Sequence, residues 1–364
     1  MKAKTVLILL AAAGVLAALS FLRYGGEKRS GDVQMGDQLF ADLPVNAVVS
    51  VTIADAESEV TLVKGDAFWQ VQERSGYPAD FDELRDMVVK LSRLKIGRSF
   101  PASPESLARL SLLAPSAPEP SGRGKQITLK DQSGEVLADV ILGQSRETGG
   151  GQYLKMAAGD TVFLVDGSFQ FLKTEPAEWL EKEILDIKAV DVKSVTCFGE
   201  NEGTPVYTLS RPGKGDPAVL APVPPGRTAN QAKIDQVLDA LAPLSIDDVQ
   251  AGNGKPPGAA PGTTRLVYQL YDGRQVIIVP EYDGKENRSL RVFAAASTPE
   301  PAASDVEARE EKPLEPEADA APAPKTASQL NEELSPWVFQ VKKWQFDSFI
   351  TQPEALLDEL KQGE

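Results

Sequence analysis

The chain contains no histidine and a single cysteine, Cys197. Without histidine the commonest general base, the commonest neutral metal ligand and every Ser-His or Cys-His nucleophile arrangement are gone. One cysteine permits neither an intrachain disulfide nor a thiolate zinc site. Basic residues are also scarce: 38 Lys and Arg face 53 Asp and Glu, a formal charge of −15. No basic stripe interrupts that negative field, which makes nucleic acid a poor partner, and none is expected. Nucleotide-binding glycine motifs are missing as well. Gly254-Lys255-Pro256 lacks the hydroxyl residue of a phosphate loop and sits in a Pro-rich stretch.

What is present begins with location. Lys2 and Lys4 precede Thr5 to Leu22, 18 residues without a charge, closed by Arg23 and Tyr24. At 1.5 Å per residue such a helix reaches about 27 Å, close to the thickness of a hydrocarbon core. Residues 1–24 are therefore expected to form an N-terminal membrane anchor, with membrane lipid as its partner. A cleaved signal peptide is the competing reading, because Ala18 to Ser20 offers small residues. No cysteine follows the run, so lipidation there is excluded. The lysines favour a cytoplasmic N-terminus, which places the bulk of the chain on the extracytoplasmic side of the membrane. Residues 25–37, polar and Gly-rich, read as a tether.

The remainder repeats itself. Pro78 to Ile96 lies without a gap on Thr228 to Ile246, so that Leu84, Met87, Val88, Leu91, Leu94 and Ile96 fall on Ile234, Val237, Leu238, Leu241, Leu244 and Ile246. Asp42 to Ile53 aligns with Asp186 to Cys197, Ile127 to Leu137 with Leu266 to Val276, and Val162 to Val165 (VFLV) with Val338 to Val341 (VFQV). Phe171-Leu172 falls on Phe349-Ile350, each followed by an expected short helix. In the first copy, strands are expected at 47–53, 59–63, 68–71, 126–130, 136–142, 153–156 and 162–165. Asp80 should cap a helix whose face carries Phe81, Leu84, Val88, Leu91 and Leu94, with Glu83 completing a capping box. Ser103-Pro104 should open a second, shorter helix.

The order strands, helix, strands, without strand-helix alternation, predicts an α+β fold. Two tandem copies of an antiparallel sheet packed with an amphipathic helix are expected, at 38–187 and 188–364. Between the last two matched strand pairs the offset grows from 139 to 176. Residues 297–328, with six prolines and eight acidic residues, account for the jump. They bury too little apolar surface to offset ordering entropy and are expected to be disordered. They are expected to replace the Gly149-Gly150-Gly151 connection of the first copy.

Candidate site residues are few. Cys197 falls opposite Ile53 in a strand and reads as a buried small hydrophobe rather than a nucleophile. Asp80, Asp82, Glu83 and Asp86 cluster, but capping and a solvated helix face account for them, and the second copy has no equivalent charges. Tyr271-Asp272-Gly273 and Tyr282-Asp283-Gly284 read as hairpin turns before they read as metal loops. Of the four tryptophans, Trp69, Trp179, Trp337 and Trp344, core filling is the first role. Trp337 and Trp344, flanking VFQV, are the candidates for contact with a ligand or partner. No catalytic residue, cofactor or metal is assigned.

Several of these segments together resemble the DUF4340 family of bacterial proteins. The carrying residues are the N-terminal apolar run, Val48-Val49-Ser50-Val51-Thr52-Ile53, Val60-Thr61-Leu62-Val63-Lys64, Phe68-Trp69-Gln70-Val71, Tyr77-Pro78-Ala79-Asp80, Val140-Ile141-Leu142-Gly143 and Tyr153-Leu154-Lys155. The resemblance covers residues 40–250 and extends weakly beyond. It implies a membrane-anchored envelope protein encoded beside ABC-type transporter subunits linked to gliding motility, and it brings no catalytic residues. The function expected is thus a non-catalytic accessory or scaffold of such a transport complex. An extracytoplasmic glycan- or peptide-binding module is the alternative.

Overall fold

A computed structural model describes residues 34–199, 204–255, 264–296 and 325–359. The apolar run 5–22, residues 25–33 of the tether and most of the acidic Pro-rich insertion lie outside the described residues. No helix among the described residues is long and apolar enough to cross a membrane.

The chain opens with strands β1 (Ser50–Ala54), β2 (Glu59–Lys64), β3 (Trp69–Val71) and β4 (Tyr77–Pro78), then helix α1 (Phe81–Ser92). Strand β5 (Ile96–Pro101) and helix α2 (Pro104–Arg109) lead into β6 (Lys125–Lys130), β7 (Val136–Ser145), β8 (Gln152–Met156) and β9 (Thr161–Val165). Strand β10 (Glu183–Leu185) closes this half. The second half runs β11 (Val192–Phe198), β12 (Pro205–Ser210), β13 (Val219–Ala221), β14 (Arg227–Ala229), α3 (Gln231–Leu238), β15 (Leu244–Ser245) and β16 (Asp248–Ala251). It ends with β17 (Arg265–Leu270), β18 (Arg274–Tyr282), β19 (Arg288–Ala296), α4 (Ala327–Leu334), β20 (Trp337–Gln340), α5 (Lys343–Phe349) and β21 (Leu357–Glu359). Every ladder is antiparallel. The fold is α+β, mostly sheet, with few helices.

The described chain divides into two compact units. One holds residues 34–58 and 85–172, the other 59–84 and 173–359. In the first, strands stand in the order β1-β6-β7-β8-β9-β5; in the second, the sheet runs β13-β12-β11-β17-β18-β19-β20-β16. From β1 and from β11 onward the two orders coincide strand for strand. Details coincide as well. Gly134 and Gly273, aligned by sequence, both turn a hairpin with positive φ (83° and 84°), where a side chain would be strained. Short 3-10 turns at Val45–Ala47 and Ala189–Asp191 precede β1 and β11. The segments expected as short C-terminal helices are single 3-10 turns, Pro176–Trp179 and Pro353–Leu356. Each begins with proline and is followed directly by extended backbone, which leaves no length for an α-helix.

Each of these turns ties down the start of a helix. The Asp80 amide donates to the Trp179 carbonyl at 2.8 Å, and the Asn230 amide to the Leu356 carbonyl at 2.8 Å. Asp80 Oδ1 accepts from the Glu83 amide at 3.0 Å, and Asn230 Oδ1 from the Lys233 amide at 3.1 Å. These bonds satisfy amides that a helix leaves unpaired at its first turn. Glu83 turns outward to Lys173 at 2.5 Å. On α1, Leu84, Met87, Val88 and Leu91 are buried, but Phe81 is 51 % exposed. Phe81 sits in the first turn, ahead of the buried stripe. Helix α3 lies over β17, where the buried Tyr268 hydroxyl donates to the Val237 carbonyl at 3.0 Å.

The insertion occupies a different connection from the one expected. Strand pairing equates β7, β8 and β9 with β18, β19 and β20, so Gly149–Gly151 corresponds to the Asp283-Gly284 turn between β18 and β19. The acidic stretch lies between β19 and β20, where the first copy has only the turn at 157–160. Its end is ordered: Ala327 and Ser328 belong to α4, held by a reciprocal Thr326/Gln329 capping box. Asp80→Ala and Asn230→Ala should each cost about 1 kcal/mol in urea unfolding, because each removes one cap of the same kind.

Candidate functional site

Segment 59–84 belongs by sequence to the first copy and by packing to the unit containing the second. Its hairpin β2-β3-β4 turns at Ser75 and Gly76, both with positive φ (56° and 81°). That turn presents Arg74 to the edge strand β16. Arg74 Nε meets Asp248 Oδ1 at 2.5 Å and its terminal nitrogen meets Oδ2 at 3.0 Å, a two-point guanidinium–carboxylate pair. The side chains are 25 % and 24 % exposed, so the pair is partly shielded from water. Asp248 Oδ1 also accepts the Val249 amide at 2.8 Å. Beside it, Tyr77 stands edge-to-face on Trp337 at 5.1 Å and on Phe339 at 6.3 Å. Such aromatic pairs add about 0.5–1.5 kcal/mol each beyond burial.

This arrangement accounts for Trp337. It is half-buried in β20, opposite Ala251 of β16, and Tyr77 covers its ring. Trp344 differs: it sits on α5, 64 % exposed, and borders a hollow of about 240 Å³ with Asp239, Pro243, Asp247 and Gln345. Trp179 is fully buried and its ring nitrogen donates to the Lys173 carbonyl at 3.2 Å. Trp69 is half-buried in β3.

The remaining candidates have structural roles. Cys197 is buried opposite Tyr207 in the β11–β12 ladder. Burial pushes its thiol up to about 11, with the Tyr207 hydroxyl opposing in part. Asp272 is held below the usual carboxylate range chiefly by Arg274. Asp283 is lowered by the backbone amides of its own turn, led by Lys285, and by the Asn287 side chain. Both aspartates thus serve their hairpins. No group of three or more candidate metal ligands occurs among the described residues.

A concavity of about 690 Å³ lies in the first unit, bordered by Asp55, Glu57, Arg123, Lys125 and Gln152 among others. Its polar groups are engaged with nearby backbone. Gln152, nearly inaccessible, donates to the Gly143 carbonyl at 2.8 Å and accepts the Phe169 amide at 2.6 Å. Asp55 accepts the Glu57 and Ser58 amides at 2.9 Å, Arg123 donates to the Glu119 carbonyl at 2.9 Å, and Lys125 donates to the Leu172 carbonyl. Gly143 has no alternative there, since a Cβ would strike the Leu110 carbonyl.

Against known families, the model of a domain of unknown function, DUF4340, matches residues 69–266, more than half of the chain. The chain belongs to the DUF4340 family. No curated protein and no solved structure matches it. The matched DUF4340 region starts at Trp69 in β3 and ends at Leu266 in β17, so it contains the Arg74–Asp248 attachment.

Sequence reasoning missed that attachment, because the partners are 174 residues apart and neither belongs to a motif. In a double-mutant cycle with Arg74→Ala and Asp248→Ala, urea unfolding should give a coupling of about 1 kcal/mol, above the few tenths of an exposed pair. Cys197 should resist maleimide in the native protein at pH 8, where a thiol titrating near 11 is only about one part in a thousand thiolate. It should label fully in denaturant.

Proposed function

We propose that this DUF4340 chain is a non-catalytic, single-span envelope protein that serves as an accessory or scaffold of an ABC-type transport complex. Residues 5–22 would anchor it, the described residues lying outside the cytoplasmic membrane. The observation that carries the reading is a framework that recurs while its chemistry does not. The strand order β1-β6-β7-β8-β9-β5 is that of β11-β17-β18-β19-β20-β16, which supports two tandem copies of one sheet-and-helix design. At equivalent positions the polar and reactive residues differ: Asp82 against Ala232, Glu83 against Lys233, Ile53 against Cys197. Duplicated surfaces with unrelated side chains suit contacts with different partners better than a repeated reaction.

A glycan- or peptide-binding module remains the second reading, and Trp344 is the observation that favours it. An exposed indole beside Asp239, Asp247 and Gln345 offers a stacking face with hydrogen-bonding neighbours.

Crosslinking in cells, followed by purification of the detergent-extracted full chain and mass spectrometry, separates the two. Transporter permease or ATPase subunits should be recovered. Recovery of the chain alone, together with glycan or peptide binding lost in Trp344→Ala, would favour the module and contradict the scaffold.

A further inference from the structure

In the second copy an edge strand receives an arginine from outside its sheet, and in the first copy the matching edge receives no such side chain at residues 98–101; nearer its start, Ile96 exchanges backbone bonds with Gly36 and Asp37. In the second copy the edge is β16, and Asp248 stands opposite Gln340 of β20. The 3-10 turn Gln72–Arg74 lies against it and Arg74 pairs with Asp248. The match of VFLV with VFQV equates Gln340 with Leu164 of β9, and Leu164 stands opposite Arg98 of β5. Arg98 therefore holds in β5 the place of Asp248 in β16, with the charge reversed.

Strand β5 ends its sheet, and among the described residues no backbone hydrogen bond beyond its ladder with β9 involves residues 98–101. Arg98, Leu164 and Tyr153 form one row across β5, β9 and β8. Phe100 lies two residues along β5, on the same face. Helix α2 and its loop cover the far end of that face, where Leu107, Leu112 and Val162 are buried together. The near end opens as a hollow of about 510 Å³ that Arg98 and Arg146 border with Phe100, Tyr153 and Met35. Phe100 meets Tyr153 edge-to-face at 6.4 Å, and Arg98 lies 5.8 Å from the Phe100 ring. No carboxylate borders the hollow, and neither guanidinium has an ion pair among the described residues. Lys155, the buried cation of the same face, is occupied by the carbonyls of Met156, Ala157 and Gly159.

We infer that the β5 edge is a docking site for an acidic, extended segment of a partner protein. The segment lies along Arg98 to Pro101 as an added strand, its carboxylates on Arg98 and Arg146 and an apolar or aromatic side chain on the Phe100–Tyr153 ledge. The inference rests on the scaffold reading and names the chemistry of its partner. Charge complementarity selects the occupant: at β16 the strand's own acid pairs with an incoming arginine, and at β5 the arginine is the strand's own. An acid-free pair of guanidinium groups on a chain of charge −15 is a local exception to its field.

The test uses the full-length, detergent-extracted protein and a fluorescent peptide of alternating Glu and Tyr, read by anisotropy. Saturable binding is expected, weakened by salt and reduced about tenfold or more by Arg98→Glu with Arg146→Glu. Arg109→Glu, on the exposed side of α2, should leave it unchanged. If the glutamate variants fail to fold, Arg98→Gln with Arg146→Gln gives the same readout. Equal binding by the double variant, or equal binding of a Lys-Tyr peptide, would each overturn the inference. Loss of the inference while transporter subunits still co-purify would leave the scaffold reading standing.

Discussion

The hairpin at residues 59–84 is fastened to strands β16 and β20 by one charged pair and one aromatic cluster, and the make-up of the larger unit depends on that fastening. Arg74 supplies a planar fork to Asp248, while Tyr77 lays an edge against Trp337 and Phe339. Neither contact would hold a hairpin alone. An exposed pair contributes little, and a hairpin on its own is marginal in water. Together, and with the Asp80–Trp179 and Glu181–Pro78 backbone bonds, they join a segment of the first copy to the second.

Much of the frame can be read from the sequence because it rests on local and periodic signals. The duplicated apolar pattern gives α1 and α3, and Asp80 and Asn230 cap them as short polar side chains do. Ser103 caps α2 with proline in its first turn, and glycines mark the hairpins. Sequence and structure part where one local signal has competitors. Proline, acid and tryptophan near 176–179 suit a helix start, yet the chain makes one 3-10 turn before Leu180 pairs with Ala79. The connection that holds the insertion is not readable from the sequence, because the match between the copies breaks off on both sides of it. Strand pairing settles its place.

The site was less legible than the frame. Trp337 and Trp344 look alike in sequence, both flanking one strand, but Tyr77 covers one ring and leaves the other in solvent. Arg98 and Asp248 carry no signal until register equates them. Both edges are set by pairings between distant segments, which periodicity does not report. In this chain the shared pattern describes the sheet-and-helix frame, while the charged edge residues Arg98 and Asp248 differ between the copies.

Native-state hydrogen exchange tests most directly whether residues 59–84 form one cooperative unit with 173–359. The account predicts that the amides of Ala79, Asp80 and Glu181 open with the same free energy and denaturant dependence as those of β11, β17 and β18. Exchange of Ala79 and Asp80 at a distinctly lower free energy, or together with β6 to β9 instead, would contradict it.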